Sequence, residues 1–141
     1  MIDRSLDLVA IERLNQAFCL ALDRGTPEAF ACLFTEDAIY TNGDRRSNGR
    51  SAILDFAQQR IAAAPRTARH LQWGLQISLL GEDEASGLSC CMAFSGVGAP
   101  PIDSTVPTLV ADFHDLYRRE DGQWRFRERQ IVPIFTPAAR S

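Results

Sequence analysis

Lysine is missing altogether, and all 15 basic residues are arginine. Without lysine there is no amine for Schiff-base chemistry and no P-loop lysine for a nucleotide phosphate. The arginine-only usage itself reads as codon bias. Histidine is scarce, with only His70 and His114. Cys19, Cys32, Cys90 and Cys91 form no C-x-x-C. Two histidines far apart, with no carboxylate–histidine spacing, make a poor ligand set, so no metal is expected. Gly43 to Gly49 is polar but carries no G-x-G-x-x-G, so no nucleotide is expected either. Cofactors are therefore expected to be none. A formal charge of −3 gives no electrostatic support for nucleic acid or an acidic membrane surface. No apolar run approaches a membrane span, and Met1 to Val9 has no signal-peptide core. These absences point to a cytoplasmic location, where the four cysteines read as buried thiols.

What the chain does have is apolar content, 45% of 141 residues, enough for one core and one domain spanning residues 1–141. Ile11, Leu14, Phe18, Ala21 and Leu22 recur at helical spacing behind Ser5, a plausible N-cap, and Gly25 ends that helix. Thr26-Pro27-Glu28 has the order of a helix start: cap, proline, acid. Phe30, Leu33 and Phe34 follow as its apolar face. Ala38 to Thr41 reads as a short strand stopped by Asn42-Gly43-Asp44. A third helix is expected from about Ser51 to Ala64, before Pro65.

Beyond Pro65 the period becomes two. Leu71, Trp73, Leu75, Ile77 and Leu79 alternate with His70, Gln72, Gly74, Gln76 and Ser78, which predicts a long half-buried strand. Gly81-Glu82-Asp83 makes a turn, and Ala85 to Phe94 returns. A Gly- and Pro-rich loop occupies Ser95 to Pro107. Leu109 to Arg119 and Trp124 to Phe135 are two more strands, joined at Asp121-Gly122. Helices first and a meander afterwards argue for α+β, not a parallel doubly wound sheet.

Three segments together carry a family resemblance. They are Ala21-Leu22-Asp23-Arg24-Gly25 with Leu33-Phe34-Thr35-Glu36-Asp37-Ala38, then Arg69-His70-Leu71, then Tyr117 to Phe126 ending in Glu128-Arg129. The chain resembles the SnoaL-like branch of the NTF2-like superfamily along nearly its whole length. The resemblance implies a cone: three N-terminal helices on a strongly curved, mostly antiparallel sheet around an interior pocket. It also implies, from the dehydratase and dehydrochlorinase members, that Asp23 pairs with His70. Histidine titrates nearest neutrality, and a carboxylate fixes its tautomer and stabilises the imidazolium that forms.

From the residues alone these positions stay open. Asp23 falls at the edge of the Leu14–Phe18–Leu22 stripe, beside Glu12 and Gln16, where the helical wheel favours a solvated carboxylate. His70 lies on the polar parity of its strand, which serves solvent or a polar cavity. Arg129 matches a pocket-lining arginine of the dehydrochlorinase branch, yet it sits among Arg125, Arg127 and Glu128, as on an outer strand face. Asp115 and Tyr117 also match family positions and share parity with Leu109, Ala111 and Phe113. Tyr40 is either a phenol donor or a core tyrosine. His114 reads as an outer-face residue. Departures from the family pattern are Gly74 in place of an asparagine, Phe18 in place of a tyrosine, and no pocket lysine, so the pocket is expected to be less polar.

The expectation is a cofactor-independent lyase, isomerase or hydrolase acting on a small hydrophobic cyclic molecule. Asp23 and His70 are its catalytic pair, and Arg129, Tyr40, Phe18, Asp115 and Tyr117 its substrate-binding side chains. The alternatives are a non-catalytic binder of a hydrophobic ligand and a small subunit of a larger enzyme complex. The row Trp73, Leu75, Ile77, if uncovered, predicts a homodimer.

Overall fold

In the computed structural model, which describes residues 2–63, 65–103 and 106–138, helix α1 runs from Ser5 to Arg24. Ile11, Leu14, Asn15 and Phe18 are its buried residues, spaced so that one face meets the sheet. Ser5 is its first helical residue and not its cap; Arg4 holds the cap position, and Asp3 accepts the Ser5 amide at 2.8 Å. Gly25 ends the helix because a β-carbon there would stand 2.7 Å from the Ala21 Cα. Helix α2, Pro27–Ala31, starts as its sequence implies, with the Thr26 hydroxyl accepting the Ala29 amide at 3.1 Å. It stops before Leu33, so Phe34 opens strand β1 instead of closing a helix.

Strand β1 is Phe34–Asn42, four residues longer at its start than the sequence suggested. The Gly43-Asp44 stop is a hairpin turn leading to β2, Arg45–Asn48, a strand with no apolar alternation to announce it. Helix α3 is Arg50–Ala62; Ala64, the expected end, lies outside the described residues. Four long strands follow: β3 Arg66–Leu79, β4 Glu84–Val97, β5 Leu109–Glu120 and β6 Gln123–Phe135. Their order in the sheet is β2-β1-β6-β5-β4-β3. Every pairing is antiparallel except β1 with β6. The sheet is curled but not closed, and its concave face receives the helices, as expected for an α+β cone.

The alternation expected along β3 breaks at a bulge. The β3–β4 register shifts between Trp73 and Gln76, where Gly74 takes φ +67°, a left-handed conformation that suits glycine. Before the bulge, His70 and Gln72 face inward while Leu71 and Trp73 are each 47% exposed on the convex face. After it, Ile77 and Leu79 pack against the core. The apolar row Trp73–Leu75–Ile77 is thus split between two faces.

The core is strongly aromatic. Phe18 contacts Phe30, Phe34, Tyr40, Phe113 and Phe126 with ring centroids 5.2–6.3 Å apart. Full burial of each such ring contributes roughly 1.5–3 kcal/mol. The cysteines depart from the expectation of four buried thiols: Cys91 is buried, Cys19 and Cys90 are half-buried, and Cys32 is exposed. Among the described residues no helix is long and apolar enough to cross a membrane.

Candidate active site

The C-terminal turn of α1 lies over the inner face of β3, and this brings Asp23 to His70. Asp23 Oδ1 is 2.6 Å from His70 Nδ1, and Asp23 Oδ2 accepts the His70 backbone amide at 2.9 Å. Both side chains are largely shielded, with 6% and 13% exposure. A carboxylate can only accept, so Nδ1 carries the proton and Nε2 keeps its lone pair. Burial pushes the His70 pKa below its ordinary 6.5, against the opposing pull of Asp23, and the nearby Arg60 charge pushes the same way. The imidazole is therefore neutral at neutral pH, as a base must be.

His70 borders an interior cavity of about 40 Å³, together with Phe18, Tyr40, Phe56, Arg60 and Phe113. That is room for water and less than the ~150 Å³ in which an apolar cavity takes up benzene. Phe18 and Phe56 supply apolar walls to it. Phe94 lines a separate groove with Ile102 and Val106. Burial raises the Tyr40 pKa, so its hydroxyl stays protonated. His70 also borders a half-polar groove of about 480 Å³ along the α1–β3 seam, with Cys19, Gln72 and Trp73. Cys19 and Cys91 share a thiol–thiol hydrogen bond that lowers the former's pKa and raises the latter's.

Arg129, Asp115 and Tyr117 do not line the cavity. Arg129 is fully buried and clamps Asp115 through two bonds of 2.8 Å, Nε to Oδ1 and Nη2 to Oδ2. Its guanidinium lies 4.2–4.3 Å from the ring centroids of Phe18, Phe113 and Phe126. Asn15 Oδ1 accepts a further bond from it. Tyr117 donates to Asp115 at 2.7 Å and accepts from Asn15 at 3.1 Å. Their polar groups satisfy one another behind the aromatic wall, apart from Arg129 Nη1, which has no partner. Three of the five positions expected to bind substrate thus form the polar spine of the core, while Phe18 and Tyr40 line the cavity. Parity alone could not separate a buried strand face from a cavity wall.

Arg60, on α3, is the cavity residue that the sequence did not single out. Its α3 neighbours are mixed, so the helix shows almost no amphipathic stripe to mark an inward-facing arginine. Burial, and then Arg66, lower its pKa. Among the described residues no cluster of three or more His, Cys, Asp or Glu is placed to hold a metal.

Residues 3–130 match the SnoaL-like domain. The chain belongs to the SnoaL-like family. The gamma-hexachlorocyclohexane dehydrochlorinase of Sphingobium indicum is 25% identical over 141 residues, covering 98% of this chain and 88% of the relative. A Novosphingobium aromaticivorans structure provisionally named a scytalone dehydratase superposes with a TM-score of 0.82 at 24% identity, over 96% of this chain and 89% of that one. A Nostoc punctiforme protein of unknown function with a cystatin-like fold gives 0.79 at 20%, over 95% and 96%. At these identities the structural likenesses establish the fold of this SnoaL-like protein, and its chemistry rests on the site.

Proposed function

We propose that this SnoaL-like protein is a cofactor-independent lyase that removes a proton from carbon in a small hydrophobic cyclic molecule. One observation carries the reading: Asp23 holds His70 at both the imidazole and the backbone, leaving Nε2 free on a ring that borders an apolar cavity. The base takes the proton on Nε2. The C–H electron pair becomes the new C=C bond, and the leaving group departs with the electrons of its own bond. The imidazolium formed is stabilised by Asp23. Tyr40, protonated and facing the same cavity, can donate to the departing group or to a developing oxyanion. The dehydrochlorinase relative, whose name denotes loss of hydrogen and chlorine, supports elimination over isomerisation or hydrolysis. Phe18 serves as a cavity wall and as the cover of the buried Arg129.

The test is turnover on a panel of cyclic halides, γ-hexachlorocyclohexane included, and cyclic β-hydroxy ketones. Chloride release or the absorbance of a new conjugated alkene is read with wild type and His70→Ala. Turnover that persists in His70→Ala sinks the proposal. Ligand retention without turnover across the panel favours a binding protein.

We also propose that the chain pairs with a second copy through the convex face of the sheet. Leu71, Trp73, Leu88, Leu116 and Ile134 are each 40–48% exposed there on neighbouring strands, an uncovered apolar surface unusual for a monomer.

A further inference from the structure

A second space adjoins the cavity on the far side of Arg60. This vestibule, about 270 Å³, lies where the end of α1 meets the end of α3 and the start of β3. Leu22 and Arg60 border both spaces, so two side chains form the partition between them. The charged residues facing the vestibule are Asp23, Arg24, Arg60 and Arg66. Asp23 is already engaged by His70. Neither Arg24, Arg60 nor Arg66 makes a side-chain hydrogen bond or ion pair among the described residues. Other arginines of this chain are tied, such as Arg118 to Asp37, Arg119 to Asp7 and Asp83, and Arg129 to Asp115. Three arginines with no direct partner among the described residues, Arg24 and Arg66 exposed and Arg60 half-buried, border one partly enclosed space next to the candidate base.

The vestibule also answers a problem of size. The inner cavity is too small for a ring while Arg60 and Leu22 stay in place, and because those two side chains border both spaces, a swing of the arginine would join them.

We propose that the substrate is an amphiphilic carboxylate: its anionic end is held by Arg60 and Arg66 in the vestibule, and its apolar end enters the cavity at His70. This deepens the lyase reading and rests on it for the role of the cavity. Two planar guanidinium forks match a carboxylate in shape as well as charge. The lowered Arg60 pKa, set by burial and by repulsion from Arg66, is the state that a bound anion relieves. Because the Arg60 charge lowers the pKa of His70, an anion seated on Arg60 raises it again, coupling occupancy of the vestibule to the strength of the base.

The test uses trans-cinnamate and its neutral amide as probes, with binding followed by NMR. Wild type is expected to hold cinnamate at least ~10-fold more tightly than the amide, a difference of about 1.4 kcal/mol. Arg60→Gln should remove that preference and Arg60→Lys restore part of it. Cinnamate should also move the His70 imidazole titration upward in wild type and not in Arg60→Gln. Equal affinity for the two probes, no cinnamate binding at millimolar concentration, or an unchanged preference in Arg60→Gln overturns the proposal. His70→Gln should keep the preference, so failure of the catalytic reading is told apart from failure of this one. Circular dichroism of each variant guards against misfolding.

Discussion

Asp23 grips His70 at two points, with one carboxylate oxygen on the imidazole Nδ1 at 2.6 Å and the other on the His70 amide at 2.9 Å. The second bond fixes the start of the side chain and the first fixes its end. Only the ring's tilt toward the cavity is left free. Two variants should therefore behave differently. His70→Ala is expected to lower kcat/KM by ~10²-fold or more, the usual loss for a general base, with little change in the urea midpoint. Asp23→Asn should approach the same loss in rate and also cost about 1 kcal/mol, because one amide group cannot serve both bonds as acceptor. An Asp23→Asn enzyme with wild-type kcat would remove Asp23 from the mechanism.

The pH profile should carry the mark of burial. The folded His70 pKa lies below 6.5, so the acid limb of kcat/KM is expected below that value and not above it. Stability follows the same sign. As pH falls past about 6.5, the unfolded chain binds the proton first, and stability present above that pH is lost as pH drops through the folded value. Urea midpoints between about pH 5 and 8, compared with His70→Gln, measure this. A wild-type acid limb centred above 6.5 would contradict it.

Breaking the buried ion pair should be costly. Asp115→Asn leaves Arg129 in an aromatic cage with its charge uncompensated, and both side chains are fully shielded. A loss of roughly 3–5 kcal/mol is expected, read by chemical denaturation. A loss under 1 kcal/mol would mean that the cage alone carries the cation.

Pairing through the convex face, as proposed, would set the assembly state. Light scattering at micromolar concentration is expected to give a dimer mass for wild type, and Trp73→Glu should shift it toward the monomer. A monomer mass for wild type ends that proposal.

Much of this fold was legible in the sequence because it is written in local codes. The Thr26-Pro27 start, the Gly25 stop and the Asp121-Gly122 turn each have one physical solution, and the structure uses it. Strand β2 was not legible: Arg45 to Asn48 is polar and pairs only through its backbone with β1. The site divides in the same way. Asp23 and His70 stand 47 positions apart, and only the family resemblance suggested that they meet. Asp115 and Tyr117 have the inward parity expected of them, and Arg129, left open between pocket and outer face, is turned inward as well, but burial within the sheet–helix layer depends on packing that parity does not encode. Arg60 left no trace because an arginine on a mixed helix looks the same whether it faces water or a cavity.

The bulge at Gly74 makes β3 two strands joined out of phase. Were the same residues paired without the bulge, they would follow one alternation, and no single alternation of this sequence suits both halves. If the C-terminal half kept Ile77 and Leu79 on the core, His70 would rotate to the convex face, 180° away from Asp23. If the N-terminal half kept His70, the apolar pair would be turned into water. The bulge is thus the hinge on which this strand turns both His70 and a hydrophobic wall to the same interior, and a β3 of this sequence paired without it would have to surrender one of them.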